Sequence, residues 1–470
     1  MKKTKIICSI GPASCSPDVM EKMVYAGMNV ARINFSHATL EERQQVVAAV
    51  KEVRKRTGEH VSILYDTRGP EFRNGMLENG EINLVEGNTI RIVKEYVLGN
   101  EERFSVNHPK ALDCLKVGDM ILLENGLMKI KITSLEDDGV TGVVIAGGIL
   151  GNKKSLNVPG VTLDIPFISD IDREDMIYAC LHDADFIALS FVNCKEDVLE
   201  AREIFKQYGR EDLKVISKIE SATGYDNLDE ILEVSDGVMV ARGDLGVEVP
   251  LESLPIYQKS IISRCREYGK ICIVATEMLE SMKKNVRPTR AEVSDVANAV
   301  IDGTDAVMLS GETTTGKYPV EVVSNMASIC ENAEAYYDYG KHYGSVREID
   351  ITETIAKSVL DCTSLLDVKL IVAATMSGYS ARKISNLKPK SLILATCPTA
   401  SVARSLSLNY GVYSKVVNVY DSTDEIVADA KVKAIDFLNL NKGDIIVITG
   451  GFPNNSVTKK TNFMKIEEIL

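Results

Sequence analysis

The sequence predicts an α/β protein: a (β/α)8 barrel with an inserted all-β domain, followed by a C-terminal doubly wound α/β domain. Eight short apolar runs alternate with helix-like segments up to about residue 340, which is the pattern of a barrel. The alternation breaks once, between the third and fourth runs, where short alternating strands and Gly turns replace it. It resumes after residue 345 with a second β/α series.

The eight predicted barrel strands are rich in apolar and β-branched residues, as expected of parallel strands buried on both faces. They occupy residues 5–10, 30–34, 61–66, 186–191, 215–219, 238–242, 272–276 and 306–310. Between them, residues 39–56, 196–208 and 256–268 show the apolar and charged spacing of amphipathic helices. The alternation therefore assigns residues 1–69 and 168–340 to the barrel.

The interruption, residues 70–167, has the alternating pattern of short strands, for example at 81–86, 89–94 and 120–133. Asn125-Gly126 lies between two apolar runs and predicts a hairpin turn. We expect a small inserted β-barrel on a loop at the catalytic end of the main barrel. From that position it can close over the site as a lid.

The C-terminal region, residues 345–470, returns to β/α alternation. Its predicted strands occupy residues 370–375, 391–396, 414–419 and 444–449. Strands alternating with helices at this spacing predict an open doubly wound sheet.

Composition narrows the class of protein. The net charge of −13 argues against bulk binding to nucleic acid or to an anionic membrane, both of which favour a basic face. No stretch approaches the roughly 20 apolar residues of a membrane span, and the N-terminus lacks the apolar core of a signal peptide. The ten cysteines are scattered without a Cys-x-x-Cys pair, which favours a cytoplasmic location.

The most informative residues follow the fifth and sixth barrel strands. Lys218 and Glu220 share one face at a buried strand end, where unused charges would be costly. Asp244 ends the sixth strand region, so Glu220 and Asp244 are candidate ligands for a divalent cation, with Lys218 facing a phosphate. The alternative is a Lys–Glu surface pair at a strand end.

Polar residues follow six predicted strand ends, and catalytic groups of such barrels lie at these ends. Arg32 and Arg73 are cations suited to phosphate oxygens. A group of neutral oxygens and one carboxylate suits either a large monovalent cation or a hydrogen-bonded turn: Asn34, Ser36, Asp66 and Thr67. The backbone amides of Gly243 and Asp244, in a glycine turn before Pro250, are candidates for binding a carboxylate. Cations, a divalent site and no evident nucleophile indicate direct phosphoryl transfer without naming the substrate.

At this point the chain resembles pyruvate kinase over nearly its whole length. The resemblance rests on the segments TKIICSIGPAS (4–14), MNVARINFSH (28–37), DTRGPEFR (66–73), MVARGDLG (239–246), RPTRAE (287–292) and MLSGET (308–313). It implies transfer of the phosphoryl group of phosphoenolpyruvate to ADP, giving ATP and pyruvate, by a cytoplasmic homotetramer.

The resemblance also implies residue roles. Glu220 and Asp244 would bind Mg2+ or Mn2+, and Lys218 would neutralise the phosphoryl group in flight. Gly243, Asp244 and Thr276 would bind the substrate carboxylate, with Thr276 near the water chain that protonates the enolate. Arg32 and Arg73 would face the phosphates, with Lys154 reaching in from the lid and His37 in the nucleotide pocket. Asn34, which also borders the nucleotide, would join Ser36, Asp66 and Thr67 as K+ ligands.

In the family, Glu at the position of Glu71 accompanies K+ dependence, so we expect K+ activation.

Other positions depart from the usual family pattern. Ser221 replaces a usual Asn, Thr223 an acidic residue and Glu277 a common Gln. Arg68 and Ala38 replace a common Lys and Gly. None of these changes removes a metal ligand or Lys218.

The resemblance extends to a regulatory loop in the C-terminal domain. A phosphate-binding turn is expected at Thr375, Ser377, Gly378 and Ser380, where a strand runs into a helix. Ordinary Ser/Thr capping of that helix is the alternative. Met376 stands where members that respond to fructose 1,6-bisphosphate often have Lys, and the turn at 449–456 lacks their basic and Trp residues. The effector is therefore fructose bisphosphate, another sugar phosphate or a nucleotide.

Three alternative functions, two catalytic and one non-catalytic, remain open. A Mg2+-dependent aldolase or lyase acting through a pyruvate enolate would share Glu220 and Asp244, but it would not need Lys154 or the monovalent site. A class I aldolase would need Lys218 as a neutral amine, which neighbouring carboxylates oppose. A non-catalytic protein that binds phosphorylated metabolites would tolerate loss of Lys218.

Overall fold

The structure, a computed structural model, describes residues 1–339, 350–452 and 460–470. The chain begins with three strands separated by two helices: β1 (Lys5–Ser9), α1 (Pro17–Ala26), β2 (Val30–Asn34), α2 (Leu40–Thr57) and β3 (Ser62–Asp66). Local sequence sets the bounds of α2. Thr39 and Glu42 form a reciprocal capping box at its start, and Gly58 ends it with φ +71°.

The insertion follows β3. Its strands are β4 (Glu81–Leu84), β5 (Thr89–Val93), β6 (Arg103–Ser105), β7 (Met120–Leu123), β8 (Met128–Glu136), β9 (Gly139–Ala146), β10 (Gly148–Gly151) and β11 (Leu156–Asn157). The predicted hairpin at Asn125-Gly126 joins the antiparallel pair β7 and β8, and both turn residues have positive φ. In place of the closed small barrel that we expected, the strands form a six-stranded sheet and a two-stranded sheet around one apolar core.

The chain then completes the main barrel. Its elements are α3 (Asp170–Leu181), β12 (Phe186–Leu189), α4 (Lys195–Gln207), β13 (Lys214–Ile219), α5 (Ala222–Asp226), α6 (Leu228–Val234), β14 (Gly237–Ala241), α7 (Arg242–Glu248), α8 (Leu254–Glu267), β15 (Ile271–Ala275), α9 (Arg290–Asp302), β16 (Ala306–Leu309), α10 (Gly311–Thr314) and α11 (Pro319–Glu334). The sheet closes in the order β1-β16-β15-β14-β13-β12-β3-β2, and every neighbouring pair is parallel. The predicted fold class is confirmed here.

The C-terminal part is an open sheet with helices on both faces. Its elements are α12 (Ile351–Leu365), β17 (Val368–Ala374), α13 (Tyr379–Asn386), β18 (Leu392–Cys397), α14 (Ala400–Arg404), β19 (Val412–Val416), α15 (Thr423–Leu438), β20 (Ile445–Gly450) and β21 (Phe463–Glu468). The strand order is β19-β18-β17-β20-β21, with one apolar core on each face. The antiparallel edge strand β21 is an addition to the predicted strands. β19 ends before the predicted 414–419, because its one neighbour, β18, ends at Cys397 opposite Val416.

The C-terminal part packs against the amino ends of the barrel strands, opposite the end that carries the predicted site. Leu408 is fully buried and belongs to the apolar cluster inside the barrel. Lys5 Nζ, at the start of β1, donates to the Val412 carbonyl at 2.5 Å. The Lys388 ammonium pairs with Asp305, just before β16, at 2.5 Å. The C-terminal part therefore closes one end of the barrel and leaves the other free for chemistry.

Two further observations concern the chain as a whole. The ten cysteines are free thiols, and none forms a disulfide. Within the ranges given above, no helix combines the length and apolarity needed to cross a bilayer.

Replacing Leu408 with Ala should lower the free energy of unfolding by about 2–5 kcal/mol, because a cavity opens at the closed end of the barrel. Urea denaturation of the full chain measures this change. Leu135→Ala is the matched control, since Leu135 is 50% exposed and its truncation leaves no enclosed cavity. Equal, small changes in the two variants would show that Leu408 does not stabilise the barrel.

Candidate active site

Asp66, at the end of β3, is the centre of a buried polar network. Its Oδ2 accepts a hydrogen bond from Arg32 Nε at 2.7 Å, and its Oδ1 accepts one from Lys218 Nζ at 3.1 Å. Burial would raise the pKa of this carboxyl, but the charges of Arg32 and Lys218 outweigh burial and hold the pKa below its usual value. Asp66 therefore stays ionised and fixes two cations that arrive from different strands.

Lys218 lies among three oxygen atoms at the end of β13. Besides Asp66, its Nζ lies 2.9 Å from Glu220 Oε1 and 2.7 Å from Ser190 Oγ. Burial opposes the charge on Lys218, but Asp66 and Glu220 more than compensate and raise the pKa above its usual value. The side chain is therefore a protonated ammonium that faces the centre of the site.

Glu220 is 1% exposed and is fixed at both oxygens, because its Oε2 also accepts from the backbone N–H of Phe191 at 2.7 Å. Burial raises the pKa of Glu220, Lys218 opposes that rise, and the charge of Asp244 adds to it. The two carboxylates thus repel each other across the site. The Asp244 carboxylate, by contrast, has no hydrogen-bond partner among the described residues.

This donor set fits a magnesium ion. Two carboxylates with mutual repulsion, one of them without a partner, are stabilised by a cation between them. Nowhere in the described ranges do three or more His, Cys, Asp or Glu side chains converge as a metal cage. A metal on Glu220 and Asp244 would therefore leave positions open to substrate and water, as Mg2+ sites with phosphate ligands do.

Gly243 and Asp244 lie in the first turn of α7. We expected a glycine turn before Pro250, and the chain instead forms a seven-residue helix here. The backbone N–H groups of a first helical turn have no partners within the helix. That of Gly243 donates to Thr276 Oγ1 at 2.9 Å.

Thr276 and the next residue, Glu277, adopt φ values of +71° and +52°. A β-branched residue rarely takes this conformation, so the turn is strained. Arg242 stabilises it by donating to the carbonyls of Ala275 at 3.2 Å and Thr276 at 2.7 Å, while its guanidinium pairs with Asp295 at 2.7 Å. No role was predicted for Arg242, which stabilises this turn from the first residue of α7.

The four predicted monovalent-cation residues come together at the ends of β2 and β3. Asn34 and Asp66 are directly paired across these strands. The Ser36 amide donates to Asn34 Oδ1 at 2.9 Å, and Thr67 is 3% exposed. The cluster is also a hydrogen-bonded turn, so both interpretations of these residues match the contacts.

Of the residues predicted to contact the nucleotide, Arg73 and Lys154 line the cleft between the insertion and the barrel, a cavity of about 430 Å³, and Asn34 and His37 lie outside that lining. Arg73 forms a two-point ion pair with Glu71, at 2.7 and 2.8 Å, and Lys154 pairs with Glu124 at 3.0 Å. Both cations belong to the insertion side of the cleft. His37 is exposed in the turn that follows β2.

Ser190 and Phe191 follow β12, the fourth barrel strand, to which the sequence assigned no site residue. Ser190 contacts Lys218 and Asp66, and the Phe191 amide contacts Glu220. Catalytic groups of such barrels lie at the carboxyl ends of the strands, and Ser190 has that position. The sequence does not single it out, because an uncharged Ser-Phe pair after an apolar run gives no chemical signal.

The departures from the usual family pattern leave the network intact. Ser221 caps α5 by accepting from the Gly224 amide at 3.0 Å, and its hydroxyl also donates to Asn193 Oδ1. Thr223 lines the cleft, whereas Glu277 is an exposed residue of the strained turn.

The predicted effector loop connects β17 to α13. Gly378 has φ +80° and precedes the helix, the Ser377 carbonyl accepts from Arg382 Nη2 at 2.9 Å, and Ser380 bonds to Thr461 at 2.5 Å. Thr375 is 8% exposed. Of the neighbouring turn at 449–456, residues 453–456 lie outside the described residues.

The fold and the site define a barrel phosphotransferase: cations for phosphates, two carboxylates for a metal, and a cleft under an inserted β domain. Residues 1–323 match the pyruvate kinase barrel-domain family and residues 353–467 the pyruvate kinase α/β-domain family. The chain therefore belongs to the pyruvate kinase family.

Individual relatives agree with this assignment. The chain is 45% identical to pyruvate kinase of Geobacillus stearothermophilus, covering 100% of this chain and 80% of that protein. It is 42% identical to pyruvate kinase of Clostridium perfringens, over 100% of both. A crystal structure of a pyruvate kinase from Cryptosporidium parvum superposes with a TM-score of 0.94 at 38% identity, covering 99% of this chain and 96% of that one.

Because Lys218 is held protonated, we expect no Schiff base with pyruvate. Incubation with pyruvate and borohydride, followed by peptide mass spectrometry, should leave Lys218 unmodified at pH 7–8. A parallel sample treated with formaldehyde and borohydride, in which exposed lysines such as Lys51 become methylated, is the positive control for detecting modified lysines. A reduced pyruvyl adduct on Lys218 would contradict the ammonium assignment and favour a class I aldolase.

Proposed function

We propose that this chain transfers the phosphoryl group of phosphoenolpyruvate to ADP, forming ATP and pyruvate, with Mg2+ or Mn2+ and K+ as cofactors. The observation that supports this most strongly is the protonated Lys218 beside Glu220 and Asp66. Such a group neutralises charge but does not attack carbon. Family membership supports the same reaction.

Lys218 and Arg32 would bind the phosphate of phosphoenolpyruvate. Both are positioned before substrate arrives, because Asp66 contacts both at 3.1 Å or less. Charge in phosphoryl transfer accumulates on the equatorial oxygens, so fixed cations stabilise the transition state without having to reorganise. Lys218 is therefore proposed as the catalytic lysine, with Arg32 as its partner.

The backbone amides of Gly243 and Asp244 and the hydroxyl of Thr276 would bind the substrate carboxylate. When bound to Glu220 and Asp244, Mg2+ would supply positive charge to the substrate oxygens and the moving phosphoryl group. The strained turn at Thr276 places its Oγ1 at 2.9 Å from the Gly243 amide. After transfer, the enolate carbon takes a proton, and Thr276 is proposed to orient the water that delivers it.

The insertion would supply the nucleotide side of the cleft. Arg73 and Lys154 are proposed to contact the phosphates of ADP, with Asn34 and His37 near the nucleotide. Each of the two cations is now paired with a carboxylate of the insertion, Glu71 or Glu124. Closure of the lid over ADP would exchange these surface pairs, of modest strength, for phosphate contacts.

Asn34, Ser36, Asp66 and Thr67 are proposed as K+ ligands. Their oxygens are mainly neutral, as a large monovalent cation prefers, and Asn34 and Asp66 lie side by side. The site shares Asp66 with the Arg32–Lys218 network, which explains why a monovalent cation would affect phosphoryl transfer.

In the C-terminal domain we propose activation by a sugar phosphate, or by a nucleotide, at Thr375, Ser377, Gly378 and Ser380. One observation favours an anion here: Nη1 of Arg382 is buried beside Gly378 without a hydrogen-bond partner in the described part of the chain. We also propose a cytoplasmic homotetramer. Its domain boundaries would be 1–69 and 168–340 for the barrel, 70–167 for the insertion and 345–470 for the C-terminal domain.

The decisive assay is pyruvate formation from phosphoenolpyruvate and ADP with Mg2+, for the wild type and Lys218→Met. We expect ADP-dependent turnover that falls by roughly 100–1,000-fold in the variant, because a preorganised charge is lost. Turnover without ADP would favour a lyase, and no turnover with any effector would favour a binding protein. Lys51→Met, an exposed lysine, is the matched control.

Potassium dependence needs its own measurement. In buffer free of K+ and Na+, with tetramethylammonium as the counterion, we expect turnover well below that measured after KCl is added. The reason is that the Asn34–Thr67 cluster would lack its cation. Equal rates in the two buffers would contradict the proposed K+ site.

Regulation is tested by the phosphoenolpyruvate concentration at half-saturation. We expect a sugar monophosphate or fructose bisphosphate to lower it, and Ser377→Glu to reduce that shift, because an added carboxylate repels the phosphate. Ser401→Glu, at an exposed position of α14, should respond as the wild type does. The absence of any shift with every sugar phosphate would refute the regulatory part of the proposal.

A further inference from the structure

Ser190 has no role in the reaction as described above, although it contacts both halves of the site. It follows β12 directly and is 2% exposed. Its neighbours belong to the third and fifth strands of the barrel, which flank β12 on its two sides. Ser190 therefore adds a second connection between these two strand ends, beside the direct contact of Asp66 with Lys218.

The hydroxyl of Ser190 is both a hydrogen-bond donor and a hydrogen-bond acceptor. It accepts a hydrogen bond from Lys218 Nζ at 2.7 Å and donates one to the Thr67 carbonyl at 2.7 Å. A hydroxyl has one proton and two lone pairs, so donation to Thr67 turns a lone pair toward Lys218. The weaker contact with Asp66 Oδ1, at 3.3 Å, leaves this arrangement unchanged.

The backbone of Ser190 contacts the same partner. Its amide donates to Thr67 Oγ1 at 3.0 Å, so both oxygens of Thr67 are fixed by one residue. The amide of the next residue, Phe191, donates to Glu220 at 2.7 Å, and Phe191 has φ +56°. Ser190 and Phe191 thus orient Thr67, a proposed ligand of K+, and Glu220, a proposed ligand of Mg2+.

The loop after β3 is shaped to reach Ser190. Gly69 has φ +77°, and a Cβ placed on it would lie 2.8 Å from Ser190 Cβ and 3.0 Å from the Ser190 carbonyl oxygen. Contacts this short exclude a side chain, so glycine permits the loop with Thr67 to lie against Ser190. The contact between Thr67 and Ser190 is therefore built into the backbone.

We propose that Ser190 is a positioning residue that couples the monovalent-cation site to Lys218. Thr67 orients the Ser190 hydroxyl, and the hydroxyl fixes the Lys218 ammonium. The oxygens that Thr67 offers to K+ and the position of the Lys218 ammonium then both depend on the side chain of Ser190. This inference rests on the function proposed above, in which Thr67 binds K+ and Lys218 faces the phosphoryl group.

Ser190→Ala removes the hydroxyl and keeps the backbone contacts. We expect kcat to fall roughly tenfold or more, as for the loss of one hydrogen bond to a charged group, and the K+ concentration at half-activation to rise. KM for phosphoenolpyruvate should change much less than kcat, because Arg32 still binds the phosphate. The rise in melting temperature on adding KCl, which needs no turnover, should be smaller than in the wild type.

Two variants separate positioning from general stability. Ser190→Thr retains a hydroxyl and should recover both kcat and the K+ response. Ser235→Ala removes another buried barrel serine, whose hydroxyl bonds to Ser217 and the Ile231 carbonyl at 2.7 Å each, and should keep the wild-type K+ response. If Ser190→Ala does not fold, Ser190→Cys, with a weaker donor in the same shape, is measured by the same criteria.

Wild-type kcat in folded Ser190→Ala, or in Ser190→Cys if the alanine variant does not fold, would overturn the proposal. So would a fall in kcat with an unchanged K+ half-activation and an unchanged K+ effect on melting temperature, since Ser190 would then act on Lys218 alone. The wild-type and Lys218→Met assays are run alongside. Their failure refutes the proposed function itself, whatever the Ser190 variants do.

Discussion

The site depends on one buried carboxylate. Asp66 lies between Arg32 and Lys218, and each of the three would be costly alone in a low-dielectric interior. Together they are stable, because the two cations keep the carboxylate ionised and the carboxylates of Asp66 and Glu220 keep Lys218 protonated. The cations are thus in place before a phosphate arrives.

Barrel closure makes this network possible. Arg32, Asp66 and Lys218 lie on three strands, and β12 with Ser190 stands between the last two. The two additions to the barrel serve opposite ends: the insertion covers the carboxyl ends of the strands, and the C-terminal part closes the amino ends with Leu408. The C-terminal domain therefore contacts the barrel at the end opposite the candidate site, for example through the ion pair of Lys388 with Asp305.

Some elements could be predicted from sequence and others could not, for identifiable reasons. The barrel strands were predictable because buried parallel strands are continuous apolar runs, and α2 because residues 39–56 show the spacing of an amphipathic helix. The helix at Gly243 and Asp244 was mistaken for a turn, because glycine disfavours helix and tertiary contacts overrode that preference. β21 begins with two apolar residues and ends with two glutamates, so it lacks the regular alternation of a strand and forms one by pairing with β20.

The sequence by itself determined the order of elements, the barrel class and the charged residues at the strand ends, because periodicity and residue type are properties of the linear chain. Only the tertiary structure decided which of those residues meet. The contacts of Ser190 with Lys218 and Thr67, the strained turn of Thr276 fixed by Arg242, and the insertion of Leu408 into the barrel join residues far apart in sequence. Distances between strand ends are set by closure and packing of the whole sheet, and no local pattern encodes them.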